Sequence, residues 1–326
     1  MQDREFGTES LKISEIGLGC WQLGGDWGSI PDTQAIEILE TAVREGVTFF
    51  DTADVYGGGK SERLIGDFLK TRSESIFVAT KAGRKDIYPD GYTEAALRTC
   101  IEDSLTRLQT DVLDLVQMHC IPFEVMKRGE VWTWLAGFVE KGLIKRFGAS
   151  IETVEEANWC IDNVPDLYSL QVIFNVFRQK PATELFDRAA AKKVGIIVRV
   201  PLASGLLSGK FTKDTTFDPS DHRNYNANGE AFNVGETFAG VPFAKGVELA
   251  SELDHIRNSE VPMAQWALRW ILDHPAVSTV IPGASKPAQV ISNAGASKLP
   301  SIDPTIFKTV NNFYKTSVEP EIRGPY

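Results

Sequence analysis

Apolar positions along this chain fall into two alternating kinds of stretch. The first kind is short and solid: EIGLGC (15–20), VTFFDT (47–52), SIFVATK (75–81), VLDLVQMH (112–119), IKRFGAS (144–150), YSLQVIFN (168–175), IIVRVP (196–201) and VSTVIPG (277–283). The second is longer and spaced as a helix face. TQAIEILETAVREG carries Ala35, Ile36, Leu39, Ala42 and Val43 and closes on Gly46, while EAALRTCIEDSLTRL carries Leu97, Ile101, Leu105 and Leu108. SERLIGDFLK, VWTWLAGFVEKG, residues 154–162, LFDRAAAKKVG, MAQWALRWILDH and a segment near AQVISNAG read the same way. Eight strands thus alternate with helices, and solid apolar strands belong in a parallel sheet covered on both sides.

A (β/α)8 barrel satisfies that pattern as a single domain over residues 1–326, with a C-terminal helical extension. An open doubly wound sheet normally carries GxGxxG after its first strand, and GCWQLGGDWG lacks that spacing. Ahead of the barrel, REFG and LKIS flank the turn residues TES as a short hairpin, a plug or a lid. The polar segment from Phe211 to Gly240, rich in Asn, Asp and Gly, reads as a long loop over the active face.

Composition narrows the function. A net charge of −10 disfavours nucleic acid and anionic membranes. No run approaches the roughly 18 apolar residues of a membrane helix. The N-terminus has early acids and no apolar core, so a cytoplasmic location is expected. Cys20, Cys100, Cys120 and Cys160 are scattered without metal-ligand spacing, and neither a zinc site nor a disulfide framework is expected. No segment reads as a tail for a protein partner.

Barrel enzymes place their chemistry at the carboxyl ends of the strands. Those ends carry Asp51 after the second strand, Lys81 after the third and His119 after the fourth, with Tyr56 on the glycine-rich loop beyond Asp51. Each alone also reads as structure: a cap, a surface lysine, a satisfied histidine, a packed tyrosine. Together on one rim they suit carbonyl reduction. Hydride delivery to a carbonyl leaves an alkoxide that needs a proton from a weak acid. A tyrosine, with a pKa near ~10, serves if a cation stabilises its phenolate. Lys81 supplies the cation, Asp51 holds it, and His119 orients the carbonyl oxygen.

FFDTADVYG, with VATKAG and DLVQMH downstream, resembles the aldo-keto reductases, and the likeness spans essentially the whole chain. It implies Tyr56 as proton donor, Asp51 and Lys81 as its support, and His119 as substrate-orienting.

A hydride donor needs a site, and barrels often bind phosphate in the loops after strands seven and eight. Here these are PLASGLLSGK, with Pro201, Leu202, Ser204, Gly205, Leu206, Ser208 and Lys210, and IPGASKPAQVISN, where Pro287 suits a helix start. The resemblance assigns the second loop to the adenosine end of NADP, with Gly283, Ser285, Lys286, Gln289 and Asn293 as contacts. It sets Ser150 and Gln171 at the nicotinamide amide. Lys286 and Ser285 without any acidic residue favour NADPH over NADH.

This chain departs from the family where Ile151 follows Ser150, where Arg199 replaces a ring-stacking tyrosine, and where Gln289 replaces an arginine. Arg199 either stacks on the nicotinamide in that tyrosine's place or is a salt-bridged strand end. Trp21, a cofactor candidate as well, lines the substrate pocket with Trp27 and Asp54. A small carbonyl or alcohol, sugar-derived ones included, is the expected substrate. Two other readings stay open: a Schiff-base lyase using Lys81, and a cofactor-binding regulatory subunit like the potassium-channel β subunits that resemble this family.

Overall fold

The structure is a computed structural model that describes every residue except Ser10, Asp26 and Ser29. Strands β1 (Asp3–Phe6) and β2 (Leu11–Ser14) pair antiparallel as the expected hairpin; Ser10 of its turn lies outside the described residues. Eight parallel strands follow, in chain order around a barrel: β3 (Leu18–Gly19), β4 (Phe49–Asp51), β5 (Phe77–Ala82), β6 (Leu115–His119), β7 (Phe147–Ser150), β8 (Ser169–Ile173), β9 (Gly195–Arg199) and β10 (Val277–Val280). Each lies inside one of the eight apolar runs to within a residue, β5 reaching Ala82 and β9 starting at Gly195. The ring closes where Gly17 N donates to Val280 O (2.8 Å) and Gly19 N to Pro282 O (3.2 Å). The two edges meet closely at Gly19, where a Cβ would stand 2.7 Å from Ile281 O, which explains the glycine in so short a strand.

The hairpin is a plug. Phe6 sits edge-on to Phe49, Phe77 and Tyr168, with ring centroids 5.1–5.7 Å apart, and Phe49 and Phe77 are the first residues of β4 and β5. Phe6 and Ile13 of the hairpin therefore seal the N-terminal mouth of the barrel, packed with Ala79, Leu115, Ile197 and Ile281 inside it. Strand side chains alternate inward and outward. The next inward positions after Phe49, Ala79 and Leu115 are therefore Asp51, Lys81 and Gln117, followed on β6 by His119. An apolar floor thus carries a polar layer at the C-terminal end.

The outward residues of the strands, such as Phe50, Val116 and Val198, form the main core with the surrounding helices. The helix expected at 94–108 is Glu94–Leu108, started by Thr93, whose side chain accepts from Ala96 N. Thr153 and Glu156 form a capping box on Val154–Asn163, and Pro287 is the first residue of Pro287–Gly295. The C-terminal extension is Pro304–Phe313 with the irregular turns behind it. The sequence reading passed over the helix Phe243–Arg257, which buries Leu249, Ala250 and Leu253.

The 211–240 segment is folded rather than open. It contains the helical turns His222–Tyr225, Val234–Glu236 and Phe238–Gly240. The chain end fastens it: Arg323 donates to Gly240 O (3.0 Å) and Asn228 Oδ1 (2.9 Å), and buried Arg178 bridges Ala239 O and Pro325 O. Among the described residues no helix is long and apolar enough to cross a membrane.

Candidate active site

The polar layer is built around one lysine. Lys81, 1% exposed, donates to Asp51 Oδ1 at 2.5 Å, to Thr52 O at 2.9 Å and to Tyr56 Oη at 3.1 Å. Asp51 Oδ2 in turn accepts from Gln171 Nε2 (2.6 Å) and Gln117 Nε2 (3.2 Å). Every donor of the ammonium and both oxygens of the carboxylate are used, as a buried ion pair requires. Burial pulls the Lys81 ammonium toward neutrality, but Asp51 and Tyr56 override it and hold it above the ordinary lysine value. A Schiff-base lysine must present a neutral amine. Lys81 is locked as a cation, which argues against the lyase.

Tyr56 stands where two backbones touch. The Trp21–Gly24 turn packs on the tyrosine loop so closely that a Cβ on Gly57 would lie 2.3 Å from Gly24 O. Gly57 is also in the left-handed region (φ 59°), so no other residue is tolerated there without strain. Asp54 N donates to Lys81 O (3.2 Å), and Thr52 Oγ1 reaches Ser61 Oγ (2.8 Å), anchoring both sides of the loop. The Tyr56 ring stacks on Trp21 (5.8 Å, 17°) and meets His119 edge-on at 5.9 Å.

A cation at the position of Lys81 is expected to draw the phenol down. In the protein burial is the larger effect and pushes Tyr56 up to about 12, with Lys81 opposing it. The hydroxyl is therefore protonated at neutral pH. His119 is held well below its ordinary value by burial and by the charges of Lys81, Arg84 and Arg199, so its imidazole is neutral; its Nδ1 is buried without a partner.

These groups open onto a cavity of about 590 Å³. Its lining includes the aromatic Trp21, Trp27, Tyr225 and Phe232, with Arg84 and His119. Both expected phosphate loops line it too, through Pro201, Leu202, Ser204, Gly205, Ser208 and Lys210, and through Gly283, Ser285 and Gln289. At the start of Pro287–Gly295, Ser285 N (2.7 Å), Ser285 Oγ and Lys286 N (each 3.1 Å) all donate to Gln289 Oε1. Three donors converge there on one oxygen, the Gln289 side chain closing the first turn of the helix as a capping box. Val200, a β-branched residue at φ 51°, begins the loop after β9, a strained start of the kind that clusters at binding sites.

Several expected residues stand elsewhere. Leu206 is in the apolar core and does not line the cavity. Asn293 is tied behind the wall, its Nδ2 3.4 Å from Gly283 O, and Lys286 is exposed outside it. Asp54 also misses the pocket: the turn after β4 carries it outward, where it is 1% exposed near Glu62 and Arg107 with neither oxygen hydrogen-bonded. Burial, and next the Glu62 charge, raise it to about 7. Ser150 lines the cavity, its Oγ 3.5 Å from Cys120 Sγ, and Gln171 lines it with its amide nitrogen committed to Asp51.

Arg199 lines the cavity as an ion-paired strand end. It pairs with Glu236 of the covering loop and donates to Ile151 O at 2.8 Å. Sequence reasoning missed Glu236, Arg84 and Gln117. The last was within reach, since it lies two residues before His119 on the same strand and so faces the same way.

Comparison with known proteins agrees with this geometry over nearly the full length. The aldo/keto reductase family model matches residues 15–315. The chain is 28% identical to the aldo-keto reductase YhdN of Bacillus subtilis, covering all of this chain and 98% of the relative. It is 29% identical to a probable voltage-gated potassium channel subunit beta of rice, Oryza sativa subsp. japonica, over 91% of each. Among solved structures, the glycerol dehydrogenase AKR11B4 of Gluconobacter oxydans superposes with a TM-score of 0.77 at 27% identity, covering 99% and 98% of the two chains. A barrel with this polar layer, matched by the family model from its first strand to its last helix, belongs to the aldo/keto reductase family of oxidoreductases.

Proposed function

We propose that this protein reduces an aldehyde or ketone to the alcohol with NADPH, Tyr56 supplying the proton. The observation that carries the reading is the unbroken run of hydrogen bonds from Gln117 and Gln171 through Asp51 and Lys81 to Tyr56, ending at a cavity. Bound there, the nicotinamide cofactor supplies the hydride. Tyr56 meets the incipient alkoxide as a protonated phenol. Lys81, at 3.1 Å, stabilises the phenolate left behind, and Asp51 keeps Lys81 charged. Neutral His119 hydrogen-bonds the carbonyl oxygen without competing for the proton.

The residues fit a dinucleotide. Ser150 and Gln171 would hold the nicotinamide end, Ser208 and Lys210 the phosphates, and the donors gathered on Gln289 the adenosine end. The absence of any carboxylate from residues 283–293, with Lys286 adjoining, favours a 2′-phosphate. The pocket's indole faces beside Arg84 and His119 suit a small hydroxylated carbonyl compound, sugar-derived ones included. Similarity to a potassium-channel β subunit supports a second reading, an NADPH-binding regulatory subunit. Tight NADPH binding without turnover on any carbonyl would favour it.

The test is loss of NADPH absorbance across a panel of aldehydes and ketones. Tyr56→Phe should cut turnover by about 10²–10⁴ while leaving NADPH affinity near wild type. Undiminished single-turnover hydride transfer in that variant would remove Tyr56 from the mechanism.

A further inference from the structure

One ion pair in the cavity wall makes no hydrogen bond to the proton-transfer cluster. Arg199 is 7% exposed at the end of β9, and its guanidinium pairs with Glu236, reaches Ile151 O at 2.8 Å and lies 3.7 Å from Cys120 Sγ. The Glu236 backbone is fixed separately, its carbonyl accepting from Ser204 Oγ at 2.8 Å. Cys120 follows His119 directly, so Arg199 shares the wall on which the substrate carbonyl would be held. Its charge is among those that keep His119 neutral.

Stability alone is a poor reason for this pair, since a buried ion pair is often replaceable by apolar residues without loss. The chemistry offers a better one. Reduction forms a C–H bond at the carbonyl carbon and breaks one at the dihydronicotinamide ring; two electrons pass to the substrate, whose oxygen takes the Tyr56 proton. The cofactor gains one positive charge. A fixed charge near the ring therefore acts differently on its two oxidation states.

We propose that Glu236 is a positioning and neutralising residue for Arg199, and that the pair sets the relative affinity of the site for NADPH and NADP⁺. This rests on the cofactor reading above. Without Glu236 the uncompensated arginine repels the oxidised ring more than the reduced one. Without Arg199 the remaining carboxylate attracts the oxidised ring.

Both cofactor forms are titrated by tryptophan fluorescence against wild type, Glu236→Gln, Arg199→Met and the double variant, with a thermal melt of each. Glu236→Gln should raise the ratio of the NADP⁺ to the NADPH dissociation constant by about tenfold, the order expected for one charge close to the ring in a partly wet cavity. Arg199→Met should lower it, and the double variant should return toward wild type. A tenfold change in the ratio is about 30 mV in the potential of the bound couple. Should Arg199→Met not fold, Arg199→Lys, which keeps the charge, should leave the ratio at the wild-type value. Parallel loss of affinity for both forms, with the ratio unchanged within about twofold, overturns the proposal and leaves the pair a loop fastener. Wild type that binds neither form would refute the cofactor reading itself, and is seen before any variant is compared.

Discussion

Replacing Lys81 with methionine removes the cation that the phenol leans on. The separation from Tyr56 Oη is 3.1 Å, and the ammonium also lies 4.8 Å from the ring centroid. At an effective dielectric near 20, a unit charge at this distance is worth about 5 kcal/mol to the phenolate, or roughly 3–4 pH units of proton affinity. The wild-type phenol already stands at about 12 because burial outweighs that attraction. The variant phenol then stays protonated at any pH the fold survives. Alcohol oxidation, which needs the phenolate to accept a proton, should be slower by about 10³–10⁴ at any given pH, its alkaline rise displaced upward by the same 3–4 units. Asp51 is left as an uncompensated buried charge, a loss of about 3–5 kcal/mol in comparable pairs. Asp51→Asn/Lys81→Met is therefore the better-folded companion and should show the same displaced profile. The assay is the pH dependence of NADP⁺-linked alcohol oxidation, with circular dichroism confirming the fold. A wild-type alkaline limb in either variant would show that Lys81 does not act on Tyr56.

Lys286→Ala should weaken NADPH about 10- to 100-fold and NADH far less, the loss of one charge-assisted hydrogen bond of roughly 1.5–3 kcal/mol; equal losses would take Lys286 out of the phosphate site. Asp54→Asn should raise the melting temperature at pH 8. With a folded pKa of about 7 against an ordinary 3.8, wild-type Asp54 binds its proton more tightly folded than unfolded, so its contribution is complete below pH 4 and lost as pH rises to 7. Melting curves at pH 4, 6 and 8 check this: the variant's advantage should grow with pH and then level off, and an advantage independent of pH would contradict it.

Much of the barrel was legible because each strand is a solid apolar run and each flanking helix a spaced one. What the pattern left out follows from what it cannot encode. Phe243–Arg257 buries only a narrow strip, Leu249, Ala250 and Leu253, so its apolar spacing is thin. Asp54 is expected in the substrate pocket with Trp21 and Trp27, yet three residues past a strand the turn decides direction, and here it stands by Glu62 and Arg107. Glu236 lies 37 residues from Arg199 in a polar segment without periodicity. Only the folded loop brings the two together.

The alternation that reveals Asp51, Lys81 and His119 also explains why they share one layer. Phe6 and the inward apolar residues fill the lower barrel, so polar groups beneath the strand ends would meet neither water nor a partner. At the C-terminal end, strand register sets Lys81 beside Gln117, His119 beside Ser150, and Ser150 beside Gln171. The two glutamines can thus satisfy the second oxygen of Asp51, which leaves the first for Lys81. An apolar substitution at Gln171 would cost more than its own hydrogen bond, because Asp51 would lose its closest neutral donor and Lys81 would face a less solvated carboxylate. The amides thus belong to the same device as the charged residues: they complete the hydrogen bonding of a carboxylate in a dry layer, and that carboxylate is what holds a cation under Tyr56.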